Sequence, residues 1–346
     1  TLDADSIFSH DYVLRLIYLM EQEAHKKTAV IQTPYNTYPC PFNGLEYVAG
    51  ATTDIQYLIH QGFVAFNASY WVGANALLRY AALNDIVEED IERGHPIKRY
   101  VQDRTVIEDT ESSIDLVSKG WEIFNYPDKL AHSATPPDFG SLLIQRRRWA
   151  NGGIIIFPKL VSYLFFGKNP LSRRVVEFFV RTHYLLSIAF VNIGLLVMFL
   201  YPFDGQVYVQ YLMLASVPYF IFYARDLIRL GYKFSDLFRV YALNLLLVPV
   251  NLGGVFISIK QAILRHKIPF GRTPKVQGRT LAPKGYLLAE LALVGYLLFG
   301  ATVDVLTMRY SHALFSLFNA LFFIYAIWAF LGIKQVFKDI VLQKDT

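Results

Sequence analysis

Between residues 182 and 224 the chain carries one formal charge, Asp204, in 43 residues. A run so long and apolar is built for lipid, and the turn Tyr201-Pro202-Phe203-Asp204-Gly205 divides it into two pieces. Each is long enough for the roughly 20 residues that cross a bilayer. Residues 285–307 and 310–333 read as two further spans, joined by a short connection that holds Asp304 and Arg309. Of the 346 residues, 54% are hydrophobic and 18% charged, which excludes a disordered or collagen-like chain. The single cysteine, Cys40, excludes a disulfide scaffold.

A fifth apolar run, 240–259, contains Pro249 and the pair Gly253-Gly254. Residues 260–284 hold seven Lys or Arg and no Asp or Glu, which places them in the cytoplasm, and 225–233 is basic too. With both flanks on one side, the run is expected not to cross. It reads as an interfacial or re-entrant helix broken at Pro249 or at the glycines. The expectation is therefore an integral membrane protein of the plasma or bacterial inner membrane, with about four crossings in 181–346 and interfacial helices in 141–180. Headgroup lipid explains the basic residues beside the spans, so nucleic acid is not an expected partner.

Residues 1–140 alternate short apolar runs with polar helical stretches, the pattern of a cytoplasmic α/β domain. Val30-Ile31-Gln32-Thr33 reads as a strand, and residues 11–25 carry Val13, Leu14, Ile17 and Tyr18 at helical spacing. A strand ending at Leu2 places Asp3 and Asp5 at its carboxyl end, the edge where open α/β sheets bind ligands. Thr1 leads straight into that motif without a signal peptide, so the sequence reads as a fragment that starts inside a domain.

Two carboxylates two residues apart on such an exit suit a hard divalent cation held together with phosphate, although Asp5 and Ser6 equally suit a helix cap. Glu108-Asp109 follows the apolar pair Val106-Ile107 at what reads as a strand-to-helix junction. Asp109 is there either an N-cap or a general base whose pKa burial must raise against the pull of the helix terminus. In Gln145-Arg146-Arg147-Arg148-Trp149, a helix puts Gln145, Arg148 and Trp149 on one face. Arg148 suits bidentate contact with phosphate and Trp149 stacking on a sugar; the alternative is a basic, Trp-anchored helix on anionic lipid. Trp71-Val72-Gly73-Ala74-Asn75-Ala76 permits close backbone approach to a ligand at Gly73, or forms a tight turn.

Taken in order, these segments resemble the processive family-2 glycosyltransferases of membranes, the cellulose, chitin and hyaluronan synthase group. Leu2-Asp3-Ala4-Asp5 resembles their D-x-D, Val106-Ile107-Glu108-Asp109 their T-E-D and Gln145 to Trp149 their Q-x-x-R-W. Phe270-Gly271-Arg272-Thr273-Pro274-Lys275 is similar to the gating-loop signature F-x-V-T-x-K, matched at Phe270, Thr273 and Lys275. Ile107 replaces the Thr of T-E-D, and Arg272 the Val of the gating motif.

The resemblance implies the C-terminal part of a GT-A type α/β glycosyltransferase, followed by an α-helical membrane bundle with a cytoplasmic gating-type loop at 265–284. It implies Mg²⁺ or Mn²⁺ and a nucleotide diphosphate on Asp3 and Asp5, with Gln145 and Arg148 on the diphosphate. Asp109 deprotonates the acceptor hydroxyl; Trp149 stacks under the acceptor sugar, and Gly73, Asn75 and Glu108 line the substrate site. Thr273 and Lys275 close over the nucleotide. The implied partners are a UDP-sugar, glucose by default, a growing β-linked polysaccharide, membrane lipid and a separate export protein. It also implies that this stretch lacks the first half of the catalytic domain and is inactive alone. Two other readings stand beside it. One is a single-transfer or osmoregulated-glucan type enzyme, to which Tyr70-Trp71 with Gly73 and Asn75 has some likeness. The other is a non-enzymatic transporter or scaffold, against which the scarcity of intramembrane charge, Glu290 being the chief candidate, argues.

Overall fold

The computed structural model describes residues 1–346 except 35, 74, 103, 104, 201–208, 265–277 and 343–346. The first part runs β1 (Ile7–Phe8), α1 (Tyr12–Met20), β2 (Thr28–Gln32), β3 (Asn36–Thr37), α2 (Gly44–Val64), β4 (Ala76–Leu78) and α3 (Tyr80–Asp85). A hairpin of β5 (Glu88–Glu92) and β6 (His95–Arg99) follows, then α4 (Glu108–Ser118), β7 (Glu122–Asn125) and β8 (Ala131–Ser133).

Every residue of β2 is buried, as expected of the Ala29-Val30-Ile31 run. It lies centrally, antiparallel to β4 and parallel to β7, and the register Gln32↔Ala76 and Gln32↔Asn125 brings two strand ends and a strand start to one edge. β8 pairs antiparallel with β1 and parallel with β3. Thr1 exchanges both backbone hydrogen bonds with Ala76, so the chain enters beside β4 at that same edge.

Three local expectations need correction. The strand before Asp3 is reduced to the Thr1–Ala76 pairing, and the first assigned strand follows the D-x-D motif. Val106 and Ile107 form a turn, not a strand. The helix expected over 11–25 stops at Met20 and resumes as a 3₁₀ turn at Glu23–His25.

The helical part comprises α5 (Phe139–Phe166), α6 (Leu171–Leu200), α7 (Val209–Arg229), α8 (Asp236–Leu246), α9 (Val248–Leu264), α10 (Lys284–Leu306) and α11 (Tyr310–Ala326). A π-helical turn, Ile327–Leu331, then leads to α12 (Ile333–Leu342). By length and composition, four helices suffice to cross a membrane: Phe139–Phe166, Leu171–Leu200, Lys284–Leu306 and Tyr310–Leu331. The last three overlap expected spans; the span expected after the turn at 201–205 corresponds to α7 (Val209–Arg229), which is not among the four, and the first of the four falls where interfacial helices are expected. The first carries the Gln145 to Trp149 segment and extends from residue 139 to 166, across the expected boundary at 140/141, while the boundary at 180/181 falls inside α6.

Large apolar side chains stand on the outside of the long helices and polar ones between them. Phe190, Val191, Phe299, Leu314 and Leu321 stand exposed on the long helices, whereas Asn192, Glu290, Asp304 and Asn319 are buried between them. Asp304, expected in the connection, is the buried end of α10 and pairs with Arg309 at 3.2 Å. Glu290 is buried in the second turn of α10.

The fifth apolar run is indeed broken: α8 and α9 meet at Leu247 with a bend of 47°. The break precedes Pro249, which occupies the first turn of α9, where its missing N–H costs no helical bond. The glycines do not break the helix; a Cβ on Gly254 would stand 2.6 Å from the Arg147 carbonyl oxygen, so that position serves close approach to α5.

Small residues on α5 serve the same end on two further sides. A Cβ on Gly152 would meet Ile107 Cδ1 at 2.2 Å, and one on Gly153 the Leu185 carbonyl oxygen of α6 at 2.0 Å. Because Gly153 meets backbone, Gly153→Ala must push α5 and α6 apart. The expected loss is about 1–3 kcal/mol, as for other overpacked cores. It is to be measured as a fall in the thermal unfolding midpoint of the detergent-solubilised protein, and an unchanged midpoint would contradict the packing described.

Candidate active site

α4 begins with Glu108 and Asp109 in its first turn, and its N-cap is Ile107, which makes no side-chain cap. Asp109 is therefore not the cap. Nor do Asp5 and Ser6 cap α1, whose N-cap is Asp11. The structural explanations open to both motifs at the level of sequence fall away.

Asp109 Oδ1 accepts the Thr110 backbone N–H at 2.5 Å and the Thr110 hydroxyl at 3.1 Å. Oδ2 faces Gly73, whose added Cβ would stand 3.0 Å away and whose φ of +98° favours glycine. The Gly73 loop is tied to α4 and to the sheet edge. Ser113 accepts the Trp71 N–H at 2.9 Å and donates to the Asp109 carbonyl at 2.9 Å, while Gln32 Oε1 accepts the Val72 N–H at 3.2 Å.

Asn75, with φ +58°, is buried behind this loop. Its carbonyl accepts from the Thr33 N–H and hydroxyl, both at 2.9 Å, and its amide reaches Ser133 at 3.4 Å. Gln32 and Thr33 are thus site-shaping residues that sequence reasoning passed over; their signal was a polar pair closing an apolar strand.

Burial raises Asp109 to about 6, against the opposing pull of the Thr110 donors and of Arg148. Burial and then the charge of Asp109 raise Glu108 to about 7, with Arg148 opposing and Asp3 adding to the rise. The two carboxyls titrate as a pair near neutrality, the range in which a carboxylate works as a general base. Glu108, Asp109 and Arg148 thus lie within electrostatic reach of one another, and Asp3 within reach of Glu108.

Arg148 gets there because it shares a helix face with Gly152, four residues on, which receives Ile107. This contact accounts for an apolar Ile107 at the T-E-D threonine position. Further along, Lys159 of α5 pairs with Glu111 at 3.0 Å and Asp115 at 2.8 Å, completing a charged seam between α4 and α5.

Gln145 is half-buried one turn before Arg148. Trp149 is half-buried as well, and the Arg146 guanidinium lies 4.4 Å from its ring centroid, covering one face. Arg146 is held in turn by Thr52 of α2 at 2.7 Å. Asp3 is exposed and Asp5 half-buried, its carbonyl accepting from the Tyr38 hydroxyl. Thr273 and Lys275 lie outside the described residues. Among the described residues, no three His, Cys, Asp or Glu side chains gather to hold a metal ion. The pair Asp3 and Asp5 suits only a cation that draws its remaining oxygens from phosphate and water, as Mg²⁺ does.

An α/β edge carrying two raised carboxyls and an arginine can accept a proton near neutral pH and hold an anion. The family model described as "Glycosyl transferase family group 2" matches residues 1–224, and the chain belongs to that family. Over 159 residues it is 26% identical to a UDP-forming cellulose synthase of Dictyostelium discoideum. That match takes in 45% of this chain and 14% of the relative, so the chain spans a small part of that protein's length.

The raised pKa of Asp109 has a consequence for stability. Between the ordinary carboxylate value and about 6 the folded state holds more protons than the unfolded one, so stability falls as pH rises through that window. Asp109→Asn removes this cost. The variant is expected to melt above the wild type at pH 8 and to lose that advantage towards pH 4. Parallel melts at the two pH values check it.

Proposed function

We propose that the whole protein is an inverting, processive hexosyltransferase that moves glucose, or another hexose, from a UDP-sugar to a growing β-linked polysaccharide and passes the product through the membrane. The observation that carries this reading is the Glu108–Asp109 pair, raised by burial, with Gly73 against Asp109 and the charge of Arg148 opposing the rise. Asp109 takes the proton from the attacking acceptor hydroxyl. As the C–O bond to the diphosphate breaks, Arg148 and Gln145 hold the leaving oxygens, and a fixed cation there gives stabilisation that water cannot match in a closed site. Asp3 and Asp5 would hold Mg²⁺ or Mn²⁺ with the diphosphate, adding positive charge at the leaving group.

Trp149 offers the acceptor sugar the ring face opposite Arg146. Thr273 and Lys275 close over the nucleotide, and the basic flanks of the helices put residues 1–140 on the cytoplasmic side. A separate export protein that carries the polymer onward belongs to the same reading. Four helices long and apolar enough to span a membrane support passage of a chain rather than one transfer.

The test is release of UDP and of high-mass glycan by the intact protein in membrane vesicles, given a panel of UDP-sugars with Mg²⁺ or Mn²⁺. A metal-dependent polymer from one donor supports the proposal. UDP release with only short products would replace it with a single-transfer enzyme, and no turnover with any donor would remove the enzymatic reading. Asp109→Asn is expected to lower transfer by about a thousandfold, in the range of a lost general base, with UDP binding preserved. Unaltered turnover in that variant would take Asp109 out of the mechanism. Trp149→Ala is expected to shorten product more than it slows donor hydrolysis, read from product length and UDP release on the same sample.

A further inference from the structure

α12 turns its two sides to different surroundings. Val336 and Asp339 are buried on the inner side. Asp339 takes the Arg279 guanidinium with both carboxylate oxygens, one of the bonds at 2.8 Å, and accepts the Ala282 N–H at 3.1 Å. The start of α5 fastens the same segment from its other side: Asp138 accepts the Thr280 N–H at 3.1 Å, and the Ser141 and Thr280 hydroxyls meet at 3.1 Å. These bonds fix the rotation of α12 about its own axis.

The outer side is then Ile333, Phe337 and Val341, spaced four apart on one face and all exposed. With Phe337 65% and Val341 73% exposed, this 10-residue helix leaves an apolar stripe that the protein does not cover. Lys334 and Lys338, each one residue further on, are exposed beside the stripe, whereas Asp339 is turned inward. Nor is the inner side packed shut. A cavity of about 280 Å³ separates α12 from the starts of α2, α5 and α10, lined by Leu45, Phe139, Leu287, Trp328 and Val336. The helix is therefore held from inside by a few bonds and one apolar side chain.

Position and charge select the occupant of the outer side. Tyr310–Leu331 is long and apolar enough to span a membrane, Gly332 with φ +78° ends it, and α12 begins at the next residue. Trp328, exposed in the last turn of that stretch, is an aromatic of the kind that sits at headgroup level. A helix starting there with an apolar stripe beside lysines can lie in the interface plane. Residues 260–284, whose Arg279 is bound to α12, hold seven Lys or Arg and no Asp or Glu, so the charge offered to that leaflet has one sign. We propose that α12 docks on anionic phospholipid, with Ile333, Phe337 and Val341 in the acyl boundary and Lys334 and Lys338 at the headgroup phosphates. The inference rests on the reading of Lys284–Leu306 and Tyr310–Leu331 as membrane spans, to which it adds a lipid class.

The experiment places an environment-sensitive fluorophore on Phe337→Cys, with Cys40→Ser to remove the native thiol, in the intact protein reconstituted into phosphatidylcholine vesicles with or without phosphatidylglycerol. A second sample carries the fluorophore on Phe299→Cys, on the exposed side of α10. Both positions point outward, so neither substitution disturbs packing. Quenching is read with phospholipids that bear a nitroxide near the headgroup or deep in the acyl chain. The Phe337 probe is expected to be quenched by the shallow nitroxide, and more so with phosphatidylglycerol. Adding Lys334→Gln and Lys338→Gln should lower the ratio of docked to free probe in those vesicles by about twenty-fivefold, each lysine counting about fivefold. Water-like emission without quenching overturns the inference. So does equal quenching with and without phosphatidylglycerol, and so does blue-shifted emission that neither nitroxide quenches, which would mark a protein surface over α12. If the Phe299 probe also escapes both nitroxides, the reading of the spans fails, a result separable from failure at Phe337 alone.

Discussion

The contact between α4 and α5 is what the rest of the site depends on. Ile107 enters the space left by Gly152, and this brings the first turn of α4 alongside Arg148 on the same face of α5. A side chain larger than hydrogen at 152 has no room, so the distance between two carboxyls and one guanidinium is set by an apolar contact. Lys159, bridging Glu111 and Asp115, fixes the same two helices two turns further on. With both ends held, the helices keep one register, and the charges near Asp109 keep one geometry.

That geometry works against folding, and the opposition is informative. Burial makes Glu108 and Asp109 harder to ionise, and a chain selected for stability alone has no use for two such carboxyls at one helix start. Neither caps the helix. The surroundings compensate in part: Thr110 donates twice to Asp109, Arg148 supplies opposite charge, and the loop through Gly73 closes over the pair. The same loop is fastened by Ser113 from α4, Gln32 from the sheet and Arg181 from α6. Three layers of the protein thus converge on a few residues of backbone.

α5 also joins two environments. It is long and apolar enough to count among the membrane-length helices, yet its first half carries the arginines and Trp149, and the helix packs on α4 at Gly152. Gly153 and Gly254 admit α6 and α9 to backbone contact on its other sides. A displacement of α6 or α9 must therefore be felt at Arg148, because close-packed helices transmit strain instead of absorbing it.

The sequence determined the apolar helices, since charge-free runs of that length admit few other structures, and it determined the central strand through Ala29-Val30-Ile31. It also exposed the break in the fifth run through Pro249, although the bend falls at Leu247, because proline is tolerated in a first turn and ends the helix before it. The motif residues were legible as types at spacings. Their surroundings were not: that Asp109 is no cap, that Gly73 lies against it, that Asn75 is buried and that Arg146, held by Thr52, covers a face of Trp149 depend on contacts between segments far apart in the chain. Arg279 and Asp339, 60 residues apart, gave no local signal of their pairing at all. Periodicity and composition report how a segment meets its solvent, whereas a site is made where segments meet one another, and only the tertiary structure decides that.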